Sequence, residues 1–142
     1  MIQLKSAEQI EGIRKSSRIL VETFQFIKEL IKAGIKAIEI DREAEEFIRS
    51  KKAMPSFKGF RGFPGSVCIS IDEEIVHGIP DSRELKKGQI VGIDIGVKYD
   101  GFFSDAAYTF MISDVNPQIE KLVRTTRESL YKGIEAAHYG NR

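Results

Sequence analysis

Two aspartates stand where a chain seldom places charge. Asp94 interrupts the apolar, β-branched run of Ile90, Val91, Ile93, Ile95 and Val97, and Asp105 falls between Phe102, Phe103 and the segment 106–110. Both runs have the character of strands. Between them Lys98, Tyr99, Asp100 and Gly101 carry turn chemistry, and Asp-Gly is the dipeptide that accepts two positive φ angles. Residues 89–113 are therefore predicted to form a β-hairpin, whose register decides whether the acids meet. A two-residue loop at 99–100 sets Asp94 opposite Asp105, with about 4.5–5.5 Å between Cβ atoms. A loop at 100–101 leaves them diagonal on one face, about 7–8 Å apart, and a three-residue loop separates them. Carboxylates sharing one face of a mostly buried hairpin repel and lose hydration, so a shared proton, a basic partner or a metal ion must compensate. The competing reading leaves one acid in water at a strand end and makes the other a turn cap.

Upstream lie other groups with chemistry to offer. A strand over 66–71 would carry Cys68, a turn follows at 72–74, and a short extended piece delivers His77 beside Gly78. The residue before Pro80 is held extended, which stiffens the segment. His77 is placed to donate a hydrogen bond to a substrate; a purely structural histidine is the alternative. The loop 54–65, MPSFKGFRGFPG, is too apolar for a linker, so Phe57, Phe60 and Phe63 either pack beneath it or wall an apolar substrate.

The elements that must position these groups are legible in outline. Ser6 and Gln9 form a capping box for a first helix, with Ile10, Ile13, Leu20, Phe24, Ile27 and Ile31 as its inner stripe up to Gly34 and Ser17 filling the missing step. A second helix over 39–51 would bury Ile40, Ala44, Phe47 and Ile48 and must end before Pro55. Asn116 and Pro117 open a third, running to about His138 with Leu122, Val123, Leu130, Ile134 and Ala137 inward and Gly140 beyond. No linker, repeat or low-complexity tract divides residues 1–142, which read as a single domain.

Composition narrows the function. A net charge of +1 with scattered Lys and Arg argues against nucleic acid as a partner. One cysteine excludes an internal disulfide, no run is apolar enough for a membrane span, and the N-terminus lacks a signal-peptide core. A cytoplasmic location is expected.

The run CISIDEEIVHGIP, followed by GQIVGIDIGVKYDGFFSDAAYTF, strongly resembles type I methionine aminopeptidases of the creatinase-like pita-bread fold. The FKGFRGFPGSVCIS loop and the VRTTRESLYKGIEAA helix match the same family in the same order. The resemblance implies an α+β fold, half of a pita-bread, with helices on one face of an antiparallel sheet. It also implies removal of the N-terminal initiator Met from nascent peptides with two divalent metal ions, Co, Mn or Fe by their oxygen-rich ligation. By position Asp94 looks like the bidentate ligand of one ion and Asp105 like the bridge between both. His77 matches a histidine that hydrogen-bonds the substrate, and Phe60, Phe63 and Cys68 fall where the family lines its methionine pocket; Phe60 stands where tyrosine is common. The family's other ligands, a histidine and two glutamates, belong to a C-terminal half outside these residues, so the chain is expected to be incomplete for hydrolysis alone. It is then a fragment, a half that pairs with itself or with a separate second half, or a non-catalytic binding module. An Xaa-Pro peptidase of the same fold is the alternative enzyme.

Overall fold

The computed structural model describes residues 3–141. Helix α1, Ala7–Lys28, opens on the expected capping box: Gln9 N–H donates to Ser6 Oγ, and Ser6 N–H donates to Gln9 Oε1. Its buried residues are Ser16, Leu20, Thr23 and Ile27. The inner stripe is thus rotated from the expected one: Ile10 is 40% exposed, and Ser16 rather than Ser17 faces inward. Ser16 Oγ donates to Val97 O at 3.0 Å and lies 2.8 Å from Ser104 Oγ. A hydroxyl satisfied in this way is stable in a core, which apolar periodicity cannot reveal.

Helix α2, Ala37–Ser50, starts ahead of the expected 39 because Glu39 reaches back to accept from Lys36 N–H. It buries Ala37, Ile40, Ala44 and Ile48 as one stripe, together with Asp41. Phe47 is half-buried and stacked on Phe26 with 4.7 Å between ring centroids.

The sheet is antiparallel: β1, Met54–Pro55; β2, Val67–Ile71; β3, Ile90–Tyr99; and β4, Phe102–Met111. Strand β3 is central, with β4 along one edge and β2 followed by β1 along the other. Asp100 and Gly101 form the two-residue loop, at φ 49° and 82°. Two positive φ angles give the turn whose twist matches the strands it joins. The resulting register pairs Asp94 with Ala107 and Gly96 with Asp105.

Alternation then sorts the side chains. Val91, Ile93, Ile95 and Val97 of β3, with Val67, Ile69 and Ile71 of β2, meet Leu20, Ile27, Ile40, Ala44 and Ile48 of the helices in one core. Burying each of the larger side chains contributes about 1.5–3 kcal/mol. Asp94, Gly96, Asp105 and Cys68 necessarily point to the other face, away from α1 and α2.

Strand β2 has an outer edge that no strand among the described residues covers, and three different groups satisfy it. Val67 N–H donates to Asp41 Oδ1, Ile69 N–H to Gly78 O, and Ile71 N–H to Glu74 Oε2. Gly78 is drawn in so tightly that a Cβ there would stand 2.1 Å from Ile69 O. The piece carrying His77 is therefore not extended throughout: His77 takes φ 59° as the chain turns into this contact.

Helix α3, Pro117–Ala136, opens as expected, Gln118 N–H donating to Asn116 Oδ1. Its stripe is not inward, however. No residue of α3 is buried, Leu122 and Leu130 are each 61% exposed, and only Ile119 and Val123 reach half-burial. The 3.6-residue period creates an apolar stripe whether or not a neighbour covers it.

Gly78→Ala is expected to cost about 1–3 kcal/mol, the usual range for overpacking. Urea unfolding checks the loss, and amide exchange at Ile69 should quicken with it.

Candidate metal centre

The helix-free face of the sheet gathers four of the six residues singled out from the sequence. Cys68 lies directly across from Asp94 on β2 and β3, and Asp105 is the diagonal neighbour of Asp94 on β4. His77 joins them because Gly78, next in the chain, is held by Ile69 on one side and by Ser70 on the other, its N–H donating to Ser70 Oγ at 3.1 Å. His77 is exposed, and its charge acts on Asp94.

The acids are unequal, not jointly buried as the hairpin alone suggested. Asp105 is exposed and Asp94 half-buried, because β4 is the last strand on its side whereas β3 is enclosed. Burial first, and then the neighbouring Asp105 carboxylate, push the Asp94 carboxyl above its ordinary value, with His77 opposing. Asp94 Oδ1 is inaccessible and has no hydrogen-bond partner. Leaving a buried acceptor unsatisfied costs about 1–3 kcal/mol, and more for a charged one. Burial, then Asp94, Asp105 and Asp41, raise the Cys68 thiol to about 11, so it stays protonated at neutral pH.

Phe57, Phe60 and Phe63 diverge. A Cβ on Gly96 would stand 2.0 Å from Ser56 Oγ and 2.5 Å from the Phe57 ring, so glycine there lets an aromatic ring lie on the acid face beside the position paired with Asp105. Of the three phenylalanines weighed as packing or as a substrate wall, Phe57 is the one that the family resemblance passed over; its signal was a glycine within an otherwise apolar strand. Phe63 is half-buried, and Phe60 is 64% exposed with the Arg61 guanidinium over its ring.

An orphaned carboxylate oxygen beside a second carboxylate is a donor pair suited to a hard divalent cation. It is only part of a shell. Among the described residues no three or more of His, Cys, Asp and Glu converge to hold an ion.

Residues 11–142 match the metallopeptidase family M24. The chain belongs to that family. It is 51% identical over its full length to a methionine aminopeptidase of Clostridium perfringens, of which it covers 57%. The structure of methionine aminopeptidase from Rickettsia prowazekii superposes with a TM-score of 0.92 at 31% identity, over 94% of this chain and 54% of that one. A prolidase from Pyrococcus horikoshii, 22% identical with a TM-score of 0.79 over 94% of this chain and 37% of its own, shares the fold. The expected half of a pita-bread is thus the architecture observed, and the chain spans little more than half the length of the methionine aminopeptidases it matches. No helix among the described residues is long and apolar enough to cross a membrane.

Because its folded-state pKa is raised, ionised Asp94 destabilises the cation-free chain as pH rises through that value, and protonation relieves it on the acid side. Asp94→Asn is accordingly expected to melt above the wild type at neutral pH, the gap closing toward the ordinary aspartate value of 3.8. Thermal unfolding by circular dichroism checks the sign. Millimolar manganese should raise the melting temperature of the wild type and leave the variant unmoved.

Proposed function

We propose that this chain carries the N-terminal half of a methionine aminopeptidase active site, contributing two carboxylate ligands and part of the substrate pocket to a centre that needs further ligands to hydrolyse peptides. The observation that carries the reading is the orphaned Asp94 oxygen set diagonally to Asp105 on a face that also holds Cys68 and His77. The 51% identity over the whole chain to a methionine aminopeptidase supports it. The prolidase likeness, at 22% identity, speaks for the fold alone.

In this reading Asp94 and Asp105 hold two divalent cations, with cobalt, manganese and iron compatible with carboxylate donors. When bound, such ions supply Lewis-acid polarisation of the scissile carbonyl and lower the pKa of water. His77, exposed at the rim and anchored through Gly78, donates a hydrogen bond to the substrate amide. Cys68 packs against the thioether of an N-terminal Met as a small polarizable apolar group, since its raised pKa keeps it neutral. Phe60 and Phe63 supply the apolar wall, and the protein acts in the cytoplasm on nascent chains.

The residues 1–142 act as one domain in this scheme, a folded half with its own core. Alone with manganese or cobalt, the chain is expected to release no methionine from Met-Ala-Ser. Mixed with a separately produced C-terminal half of the Clostridium perfringens relative, it should do so, and Asp105→Ala should lower the rate by at least about a thousandfold. Cleavage of Xaa-Pro peptides in preference to Met-Ala-Ser, or full activity in the Asp105→Ala mixture, would refute the assignment.

A further inference from the structure

Two of the carboxylates of helix α2, none of which the centre itself uses, reach across to the segment 58–67. Asp41 is only 5% exposed, and its Oδ1 accepts from Ser66 N–H at 2.7 Å and from Val67 N–H at 2.9 Å. Glu45, one turn further on, accepts from Ser66 Oγ at 2.8 Å, from Arg49 Nε at 2.8 Å and from Lys58 Nζ. Lys58 lies near the start of the aromatic loop and Ser66 just beyond its end, with Cys68 two residues further on. Both carboxylates therefore grip the segment that walls the acid face, from a helix that lies against the opposite face.

We infer that Asp41 and Glu45 are positioning residues for the substrate pocket: together they close the aromatic loop and hold β2 in the phase that turns Cys68 toward Asp94. The inference rests on the proposed function for its purpose, while its geometry stands apart from it. A slip of one residue along β3 would send Cys68 into the core and Val67 to the acid face. The loop 56–65, with glycine and proline at four positions, offers little resistance of its own. A buried carboxylate is a costly way to satisfy two amides unless its directed, charge-assisted bonds serve placement. Burial acts to raise the Glu45 carboxyl, yet the bonds from Lys58, Ser66 and Arg49 outweigh it and hold the group at about 2, so this grip stays charged throughout the neutral range.

The test compares Asp41→Ala, Asp41→Asn and Glu45→Gln in the 142-residue chain. Cys68 is labelled with a neutral disulfide reagent, and amide exchange is read at Val67 and, as internal reference, at Ile93 and Ile95. Loss of a charge-assisted bond predicts labelling about tenfold faster in Asp41→Ala, with reference amides still protected. The asparagine variant, which keeps one acceptor oxygen and the side-chain shape, should recover most of the protection, and Glu45→Gln should quicken labelling less. In the reconstituted mixture, Asp41→Ala should raise KM for Met-Ala-Ser by more than it lowers kcat, and Asp41→Asn should largely restore it. Labelling that rises only in step with exchange at Ile93 and Ile95, or not at all, overturns the inference and leaves Asp41 a general stabiliser. If Asp41→Ala does not fold, Glu45→Gln, which removes the charge that holds Lys58 and Ser66, decides it by the same ratio. A wild-type mixture that releases no methionine sinks the proposed function, whereas the thiol measurement still decides the clamp.

Discussion

Alternation along β3 is the constraint on which the rest of the structure depends. Every second side chain of this strand enters a core built with α1 and α2, so the residues between them must face the other way. Four β-branched residues on the inner side make that assignment very hard to reverse, because a one-residue slip would expose them all and bury Asp94 among apolar groups. Packing on one face thereby fixes the orientation of a carboxylate on the other. The tight turn at Asp100 and Gly101 carries the same order into β4 and brings Asp105 alongside.

Close approach of backbone does the remaining assembly. Gly78 permits the chain bearing His77 to lie along β2, and Gly96 permits Phe57 to lie on the acid face. Around them, side chains stand in for a missing strand: Asp41 and Glu74 satisfy amides at either end of β2, with the Gly78 carbonyl between. An open edge that is capped in this way neither needs nor easily admits another strand. The edge of β4 is different, since Phe103, Tyr108 and Met111 are exposed along it, as is the apolar stripe of α3.

In the proposed role as a metal ligand, function and stability oppose each other at Asp94. Its environment disfavours the ionised form that a cation requires, and its orphaned oxygen gains nothing from the protein. The folded chain holds this arrangement because the core on the far side of the same strand offsets the penalty. Cys68 experiences the same environment and is shifted in the same direction: burial and nearby negative charge keep its proton on, leaving an inert, polarizable surface.

Amino-acid order alone was enough for the local decisions. The Ser6 capping box, the Asn116-Pro117 helix start, the three strands of the site and a turn around Asp100 each follow from neighbours in the chain, and so does the family, through motifs that run nearly end to end. Local rules left two hairpin registers open; the turn dihedrals and a core spanning two helices chose between them. Ser16 and Asp41 were out of reach, and the side that Phe57 takes was undecided, for the same reason. Each is explained by a partner distant in sequence, Val97 and Ser104 for the first, Ser66 and Val67 for the second, Gly96 for the third. The stripe on α3 erred in the other direction, because periodicity reports which face of a helix is apolar, and only tertiary packing supplies something to cover it.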